Sequence, residues 1–300
     1  MPQFPDGHPL RRKIGTSAAM LTPFQPDGAV DWSRLAAHAT RLLGTGMQVV
    51  TAFGTTGEGV SIERQERFDL YEKLSAAGVM PGQLVECVYG PAAATAGAHL
   101  RRSVASGCAA ILLTPPFYIK NVSEEGVFRW FAEVFEAAGP DCRDVILYHI
   151  PAVTGVAIDA PLVGRLRDAF PEVIAGVKDS GGNWEHTAAL LAEHRDLAIL
   201  VGHEGHLAAA VRHGASGAIS GIANIAPRLV ATLVDGIDAP VIEEVLARVL
   251  ALPVVPMLKA VLAEQTADAA WRRVRAPLVE LATPAERAAG AALAELLVAN

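Results

Sequence analysis

Cysteine is scarce in this chain of 300 residues: Cys87, Cys108 and Cys142 are too few and too far apart for a disulfide framework or a zinc knuckle. They read as buried reduced thiols in a cytoplasmic protein. No run approaches the roughly 18 apolar residues that a membrane span needs, which argues against a membrane partner. The opening stretch MPQFPDGHPLRRK carries charges and prolines but no apolar core of signal-peptide length. Positive charge is also short. The formal net charge of −7 argues against a nucleic-acid footprint and leaves small-molecule chemistry as the expectation. Lysine is the rarest cation, at five residues against twenty arginines, so each lysine position carries information. Low-complexity segments are absent.

What is present is the composition of a well-packed domain, 51% hydrophobic and 19% charged, with 27 glycines and 19 prolines scattered as loop punctuation. Eight apolar runs of strand length recur: 16–22, 47–53, 84–89, 109–114, 145–150, 173–178, 197–202 and 216–221. Between them lie helical patterns such as DWSRLAAHATRLLGTG, with Trp32, Leu35, Leu42 and Leu43 on or near one face and Gly44 as the stop. Continuous apolar strands without period-two alternation are buried on both faces, as parallel strands under helices must be. Eight strands with one helix per unit favour a closed barrel over an open doubly wound sheet. The fold class expected is therefore α/β, a (β/α)8 TIM barrel with a C-terminal helical extension. The domain reading is an N-terminal extension over 1–13, a catalytic barrel over 14–225 and a helical region over 226–300, where PRLVATLVDG, APVIEEVLARVLALP and PAERAAGAALAELLVAN read as helices.

In such a barrel the chemistry sits at the C-terminal strand ends and in the loops that follow. Lys178 closes the apolar run of the sixth strand. It is either a strand-end cation paired with Asp179 or Glu58, or a nucleophile, since apolar surroundings disfavour the charged amine and free the neutral one to attack a carbonyl. Tyr148, near the end of the fifth strand, either fills the barrel or relays protons if neighbours such as Thr55 hold its hydroxyl. The turn Gly54, Thr55, Thr56, Gly57, Glu58 offers backbone N–H groups and two hydroxyls to a carboxylate, or is an ordinary glycine turn; it lacks the lysine of a P-loop. His203, Glu204 and His206 do not have the H-E-x-x-H metal spacing and read instead as pocket lining. No metal and no cofactor is expected.

The motifs GTTGEG, LYHIPAVTG and GVKDSGG, in this order and at these spacings, resemble those of the dihydrodipicolinate synthase and N-acetylneuraminate lyase superfamily of pyruvate-type aldolases. The resemblance runs from SAAMLTPFQPDGAVD to VVPMLKAVL. It implies a barrel enzyme, usually a homotetramer assembled as a dimer of dimers, whose lysine forms an imine with a 2-oxo acid. Lys178 matches that lysine, Tyr148 the proton-relaying tyrosine, and Thr55 the hydroxyl that links it to a second tyrosine. Thr56 and the turn amides match the carboxylate site. The second tyrosine comes from a neighbouring subunit in this family, and Tyr118 in TPPFYIKNVS is its match, in a longer loop. Gly202 and Ile219 match pocket-lining positions.

One departure bears on substrate. The lysine-pathway synthase reads Y-N-V-P-x-R-T in the fifth motif, its arginine gripping the carboxylate of the aldehyde partner, and this chain has Val153 there. Losing a bidentate clamp leaves a charged group unpaired, at a cost of several kcal/mol. YHIPAVTGV is closer to the pattern of sialic acid lyases and of aldolases acting on 2-keto-3-deoxy sugar acids. Val153 with Ser180 and Glu204 suits an aldehyde bearing hydroxyls. The expectation is a lyase that cleaves a 2-keto-3-deoxy or 4-hydroxy-2-oxo acid to pyruvate and an aldehyde. Dihydrodipicolinate synthesis, a dehydratase or deaminase on the same imine scaffold, and an inert sugar-acid binding protein are the alternatives.

Overall fold

Each of the eight apolar runs forms a strand: β1 (Gly15–Ala19), β2 (Val49–Ala52), β3 (Leu84–Val88), β4 (Ala110–Leu113), β5 (Val145–His149), β6 (Ile174–Asp179), β7 (Ala198–Val201) and β8 (Gly217–Ser220). The computed structural model describes residues 14–299, so the extension expected over 1–13 lies outside the described residues. Every strand pairs in parallel with the next, and β8 pairs with β1, which closes the barrel.

The crossover helices are α1 (Trp32–Leu43), α2 (Arg64–Ala76), α3 (Ala93–Ala105), α4 (Glu124–Ala138), the short α5 (Pro151–Thr154), α6 (Ala160–Ala169), α7 (Trp184–Glu193) and α8 (Glu204–Arg212). Four more follow: α9 (Pro227–Val234), α10 (Val241–Leu250), α11 (Val254–Thr266) and α12 (Pro284–Ala299). The strands are buried on both faces and so feed two cores. Val49, Val85, Cys87, Leu112, Ile146 and Leu200 fill the barrel, while Val50, Leu84, Val88, Leu113, Leu147 and Ile199 meet the helices. This double burial is what erased any period-two alternation from the sequence.

Local signals behave as their chemistry requires, with one correction, at Cys108. Asp31 caps α1 by accepting from the Arg34 N–H at 3.0 Å, as an N-cap aspartate should. Gly44 caps the C-terminal end of α1 as the expected stop, in the right-handed region at φ −64, and Gly46 follows at φ 97. Cys87 and Cys142 are buried free thiols, whereas Cys108 is only half-buried, against the outer core just before β4. α11 falls in the region expected to be helical, although its bounds were not picked out from the sequence. Residues 256 to 263 are all buried there, and a helix covered all round shows no amphipathic period. Among the described residues no single helix is long and apolar enough to cross a membrane.

Buried in α11 is Lys259, fully shielded from solvent, whose ammonium donates to Glu58 in the loop after β2 and to the Arg273 carbonyl at 2.6 Å. The other Glu58 oxygen accepts from the Arg275 N–H at 2.8 Å, and the Arg275 guanidinium forks onto Glu66 at 2.5 and 2.6 Å. Burial lowers the Lys259 ammonium to about 8 against the opposing pull of Glu58. The loop after β2 is thereby tied to the C-terminal region by a desolvated ion pair. Lys259→Met, which strands the Glu58 carboxylate, is expected to destabilise the protein by about 3–5 kcal/mol. Urea unfolding checks this, and adding Glu58→Gln to the same chain should recover part of the loss.

Candidate active site

The polar groups converge at the C-terminal mouth of the barrel. Tyr148 and Lys178 are register partners on β5 and β6, and both turn inward. The Lys178 ammonium donates to the Tyr148 hydroxyl at 3.1 Å and lies 4.3 Å from the centre of its ring. The Tyr148 hydroxyl in turn stands 3.3 Å from the Thr55 hydroxyl. A chain of exchangeable protons therefore runs from the amine through two hydroxyls, which is what a carbonyl-attacking amine with an attendant acid and base requires. The pairing of Lys178 with Asp179 or Glu58 that the sequence left open is overturned. Asp179 faces the helices, one residue out of phase with Lys178, and Glu58 belongs to Lys259.

The loop after β2 is folded tightly enough to explain its glycines. A Cβ on Gly57 would sit 2.6 Å from the Met20 carbonyl oxygen, and the Gly57 carbonyl accepts from the Thr22 hydroxyl at 2.6 Å. The Glu58 N–H donates to the Thr55 carbonyl at 3.1 Å and the Gly59 N–H to Gly54 at 3.0 Å. Glu58 sits in the left-handed region at φ 55, held there by Lys259 and Arg275. Thr56 is half-buried, with its hydroxyl against Gly221 just beyond β8.

The remaining candidates divide between wall and rim. Gly202 packs its backbone on the Ser180 side chain, leaving no room for a Cβ, and Ile219 lines the barrel from β8. Glu204 is buried behind β8, accepting at 2.5 Å from the hydroxyl of Ser220, which alternation with Ile219 puts on the helix side of the strand. Val153, on α5, is 58% exposed at the rim. Beside this turn stands Lys120, whose ammonium donates to the Thr154 carbonyl at 2.7 Å and to that of Phe117. Tyr118 is 82% exposed and is not brought to the Lys178 cluster of its own chain.

Two features escaped the sequence reading. Tyr89, just past β3, packs on the inner cluster that holds Tyr148, and its hydroxyl is buried without a hydrogen-bond partner. The signal was in CVYG, where Val85, Cys87 and Tyr89 share one face by period two. The second is a network behind the lysine strand. The Asp179 carboxylate accepts from the Gly181 N–H at 2.9 Å, the Thr187 hydroxyl at 2.7 Å and His186 Nδ1 at 3.0 Å, while His186 Nε2 meets the Ile158 carbonyl at 3.1 Å. His149 stacks on His186 at 3.9 Å and accepts from the Ile158 N–H through Nδ1. His149, Asp179 and His186 are close enough to share an ion, but Asp179 and His186 already use these atoms on each other and on the backbone.

Comparison with known proteins places the fold and the motifs. The model of the dihydrodipicolinate synthetase family matches residues 13–295. The crystal structure of dihydrodipicolinate synthase from Agrobacterium tumefaciens superposes with a TM-score of 0.92 over 95% of this chain and 99% of that one, at 45% identity. An uncharacterized DapA-like lyase of Chloroflexus aurantiacus is 38% identical over 224 residues, 74% of each chain. The 4-hydroxy-tetrahydrodipicolinate synthase of Porphyromonas gingivalis is 30% identical over 221 residues, 73% of each chain.

The Asp179–His186 pair sets a pH dependence. Burial works to raise the Asp179 carboxyl, but the bonds from His186, Gly181 and Thr187 outweigh it and hold it below its ordinary value of 3.8. Burial works to lower His186, and Asp179 lifts it above its ordinary 6.5. The depressed carboxyl contributes stability above 3.8 that is lost as pH falls through its folded value; the raised imidazole contributes stability below 6.5 that is lost as pH rises through its own. The stability difference between wild type and His186→Gln is therefore expected to be largest between pH 3.8 and 6.5 and to shrink above it, as read by urea midpoints across pH.

Proposed function

The chain belongs to the dihydrodipicolinate synthetase family, and from that premise we propose that it is a Schiff-base-forming 2-oxo acid aldolase, a carbon–carbon lyase acting between pyruvate and an aldehyde. The observation that carries this reading is the Lys178–Tyr148–Thr55 chain at the mouth of the barrel.

In the cleavage direction the substrate carboxylate lies on Thr56 and the turn after β2, and the neutral Lys178 amine attacks the C2 carbonyl. Loss of water gives the protonated imine, which is itself the electron sink. Tyr148, through its oxygen, takes the proton of the C4 hydroxyl as the C3–C4 bond breaks, and the bonding pair passes into the imine to give an enamine and a free aldehyde. Returning the proton to C3 and adding water to C2 releases pyruvate and restores the amine. The body that does this is the barrel over 14–225, with 226–300 bracing it through Lys259. Tyr118 and Ile119, exposed at 82% and 71%, support a homotetramer in which this loop is covered. The reading keeps the protein in the cytoplasm.

The names of the Agrobacterium and Porphyromonas relatives favour a second reading, dihydrodipicolinate synthesis. Against it stands Val153, an alkyl group where an arginine would grip a second carboxylate, beside a Lys120 ammonium already bound to two carbonyls. A hydroxylated aldehyde fits that rim better.

Incubation with pyruvate, borohydride reduction, digestion and mass spectrometry are expected to find the reduced adduct on Lys178, and Lys178→Ala should abolish it. Tyr148→Phe should retain the adduct while turnover falls by about 10²–10⁴-fold. Release of free pyruvate from 2-keto-3-deoxy acids identifies the lyase. Robust cyclisation of pyruvate with aspartate semialdehyde would establish the synthase instead.

A further inference from the structure

Arg67, on α2, is a buried guanidinium that no acid neutralises. Among the described residues no carboxylate forms an ion pair with it, and the acids near it in the chain are engaged elsewhere: Glu58 on Lys259, Glu66 on Arg275, and Glu86 on Tyr71, Ser103 and His99. Arg102 adds a second positive charge beside it, donating to the Arg67 carbonyl at 3.3 Å. Buried cations are normally paired, so one left unpaired points to a counter-charge that arrives from outside. Its placement says where. The guanidinium donates to the Gly59 carbonyl and, at 3.1 Å, to the Cys87 carbonyl of β3, and its carbon lies 5.7 Å from the centre of the Phe53 ring and 5.4 Å from that of Tyr89. Phe53 opens the turn after β2 in the left-handed region at φ 56, a strained place for an aromatic residue. Gly59 closes the same turn by donating its N–H to the Gly54 carbonyl at 3.0 Å. Arg67 thus grips both ends of the turn that would hold the substrate carboxylate. Its charge is also felt inside the barrel, where burial raises the Cys87 thiol to about 11 against the pull of Lys178 and Arg67.

We propose that Arg67 is a positioning residue for the 2-oxo acid: an unneutralised guanidinium that clamps the turn after β2 at both ends and supplies the positive charge that the substrate carboxylate completes. This rests on the reading of Lys178 as the imine lysine and of the turn as the carboxylate site. Backbone amides orient a carboxylate but carry no net charge, and the charge on Lys178 is absent while its neutral amine attacks. A guanidinium keeps its proton throughout, so a fixed cation behind the turn holds the anion in place across that step. Arg67 acts through the backbone of the turn and through its field, while Thr56 and the turn amides meet the carboxylate itself.

The test compares pyruvate with its neutral methyl ester, so the unknown aldehyde does not enter. Both can exchange their C3 protons with deuterated water through an enamine on Lys178, followed by proton NMR, and only pyruvate carries the charge. Arg67→Gln keeps N–H donors for a carbonyl and removes the cation. Its half-saturating pyruvate concentration should rise about 10-fold, the size of effect one charge exerts on another from behind a site near the surface, while the value for the ester and the rates at saturation stay within about twofold. Arg67→Lys keeps the charge and should keep the wild-type preference for pyruvate over the ester. An equal rise for both compounds in Arg67→Gln overturns the proposal, because a loosened site treats them alike, and so does no rise at all. If Arg67→Gln does not fold, Arg67→Lys decides: the wild-type preference sustains the role of the charge, and a lost preference overturns it. If the wild-type protein neither traps pyruvate on Lys178 under borohydride nor exchanges it, the imine reading fails and the role of Arg67 falls with it. Normal exchange by wild type with an unaltered preference in Arg67→Gln removes Arg67 alone.

Discussion

Lys178 faces the barrel axis because β6 carries one residue more than its neighbour can pair. Val145 of β5 stands opposite Ile174, but Ile146 stands opposite Gly176, so Ala175 is an unpaired bulge. A strand alternates its faces strictly, and one extra residue reverses every side chain after it. Ala175 and Gly176 both fall on the inner side, after which Val177 faces the helices and Lys178 faces Tyr148. Without the bulge the amine would point into the helical layer and Asp179 into the barrel. Gly176 makes the reversal possible, because a Cβ there would run into the Ala198 carbonyl oxygen of β7. The chemistry of the site thus depends on a backbone irregularity four residues below its mouth being held in place.

That backbone is held from outside. Asp179, the outward neighbour of Lys178, is fixed by three donors from the turn into α7 and from α7 itself, so the last residue of the strand cannot rotate the lysine away. Glu86 on β3 plays the same part behind Tyr89: fully buried, it accepts from Tyr71 at 2.7 Å, Ser103 at 2.7 Å and His99 at 2.7 Å. Glu58 does so behind the loop that would hold the substrate carboxylate. Lys178, Tyr89 and the loop after β2 each have a buried acid at or near their place in the chain, Tyr148 having His149 instead, and the donors that satisfy these acids come from helices and from the turns and loops beside them. Buried carboxylates are costly unless every oxygen is engaged, so these contacts tie helices to strand ends in one arrangement.

The eight strands, the barrel and the strand-end cluster were legible because they rest on local pattern: apolar runs of strand length, turn residues after them, and three motifs with unusual composition. Lys178, Tyr148 and Thr55 were legible for the same reason. What stayed hidden is what depends on distance or on backbone phase. Glu58 and Lys259 lie 201 residues apart, and a lone lysine in an apolar helical run carries no mark of its partner. The bulge at Ala175 leaves no trace in VIAGVK, where any of several residues fits as the extra one. Tyr89 was passed over because CVYG reads as the end of a buried strand, and the fate of a hydroxyl is settled by which neighbours stop short of it. The bounds of α11 stayed hidden for the opposite reason, since complete burial removes the periodicity that delimits a helix.

The two halves of the mouth differ in how they are built, and that difference decides what the sequence can say about substrate. The half that would form the imine stands on strands and on a loop pinned by an ion pair, so its geometry is set by the barrel itself. The half that would meet the aldehyde stands on Val153, Lys120 and the turn after β6, which are rim residues on loops and on a single helical turn. A change of one rim side chain, such as arginine to valine at position 153, alters which partner is matched without moving Lys178 or Tyr148. The family likeness therefore bears on the imine half more than on the rim, because that half stands on the strands of the shared fold. At the rim, Val153 is uncharged and the Lys120 ammonium beside its turn is already bound to two carbonyls, so neither offers a clamp to a second carboxylate.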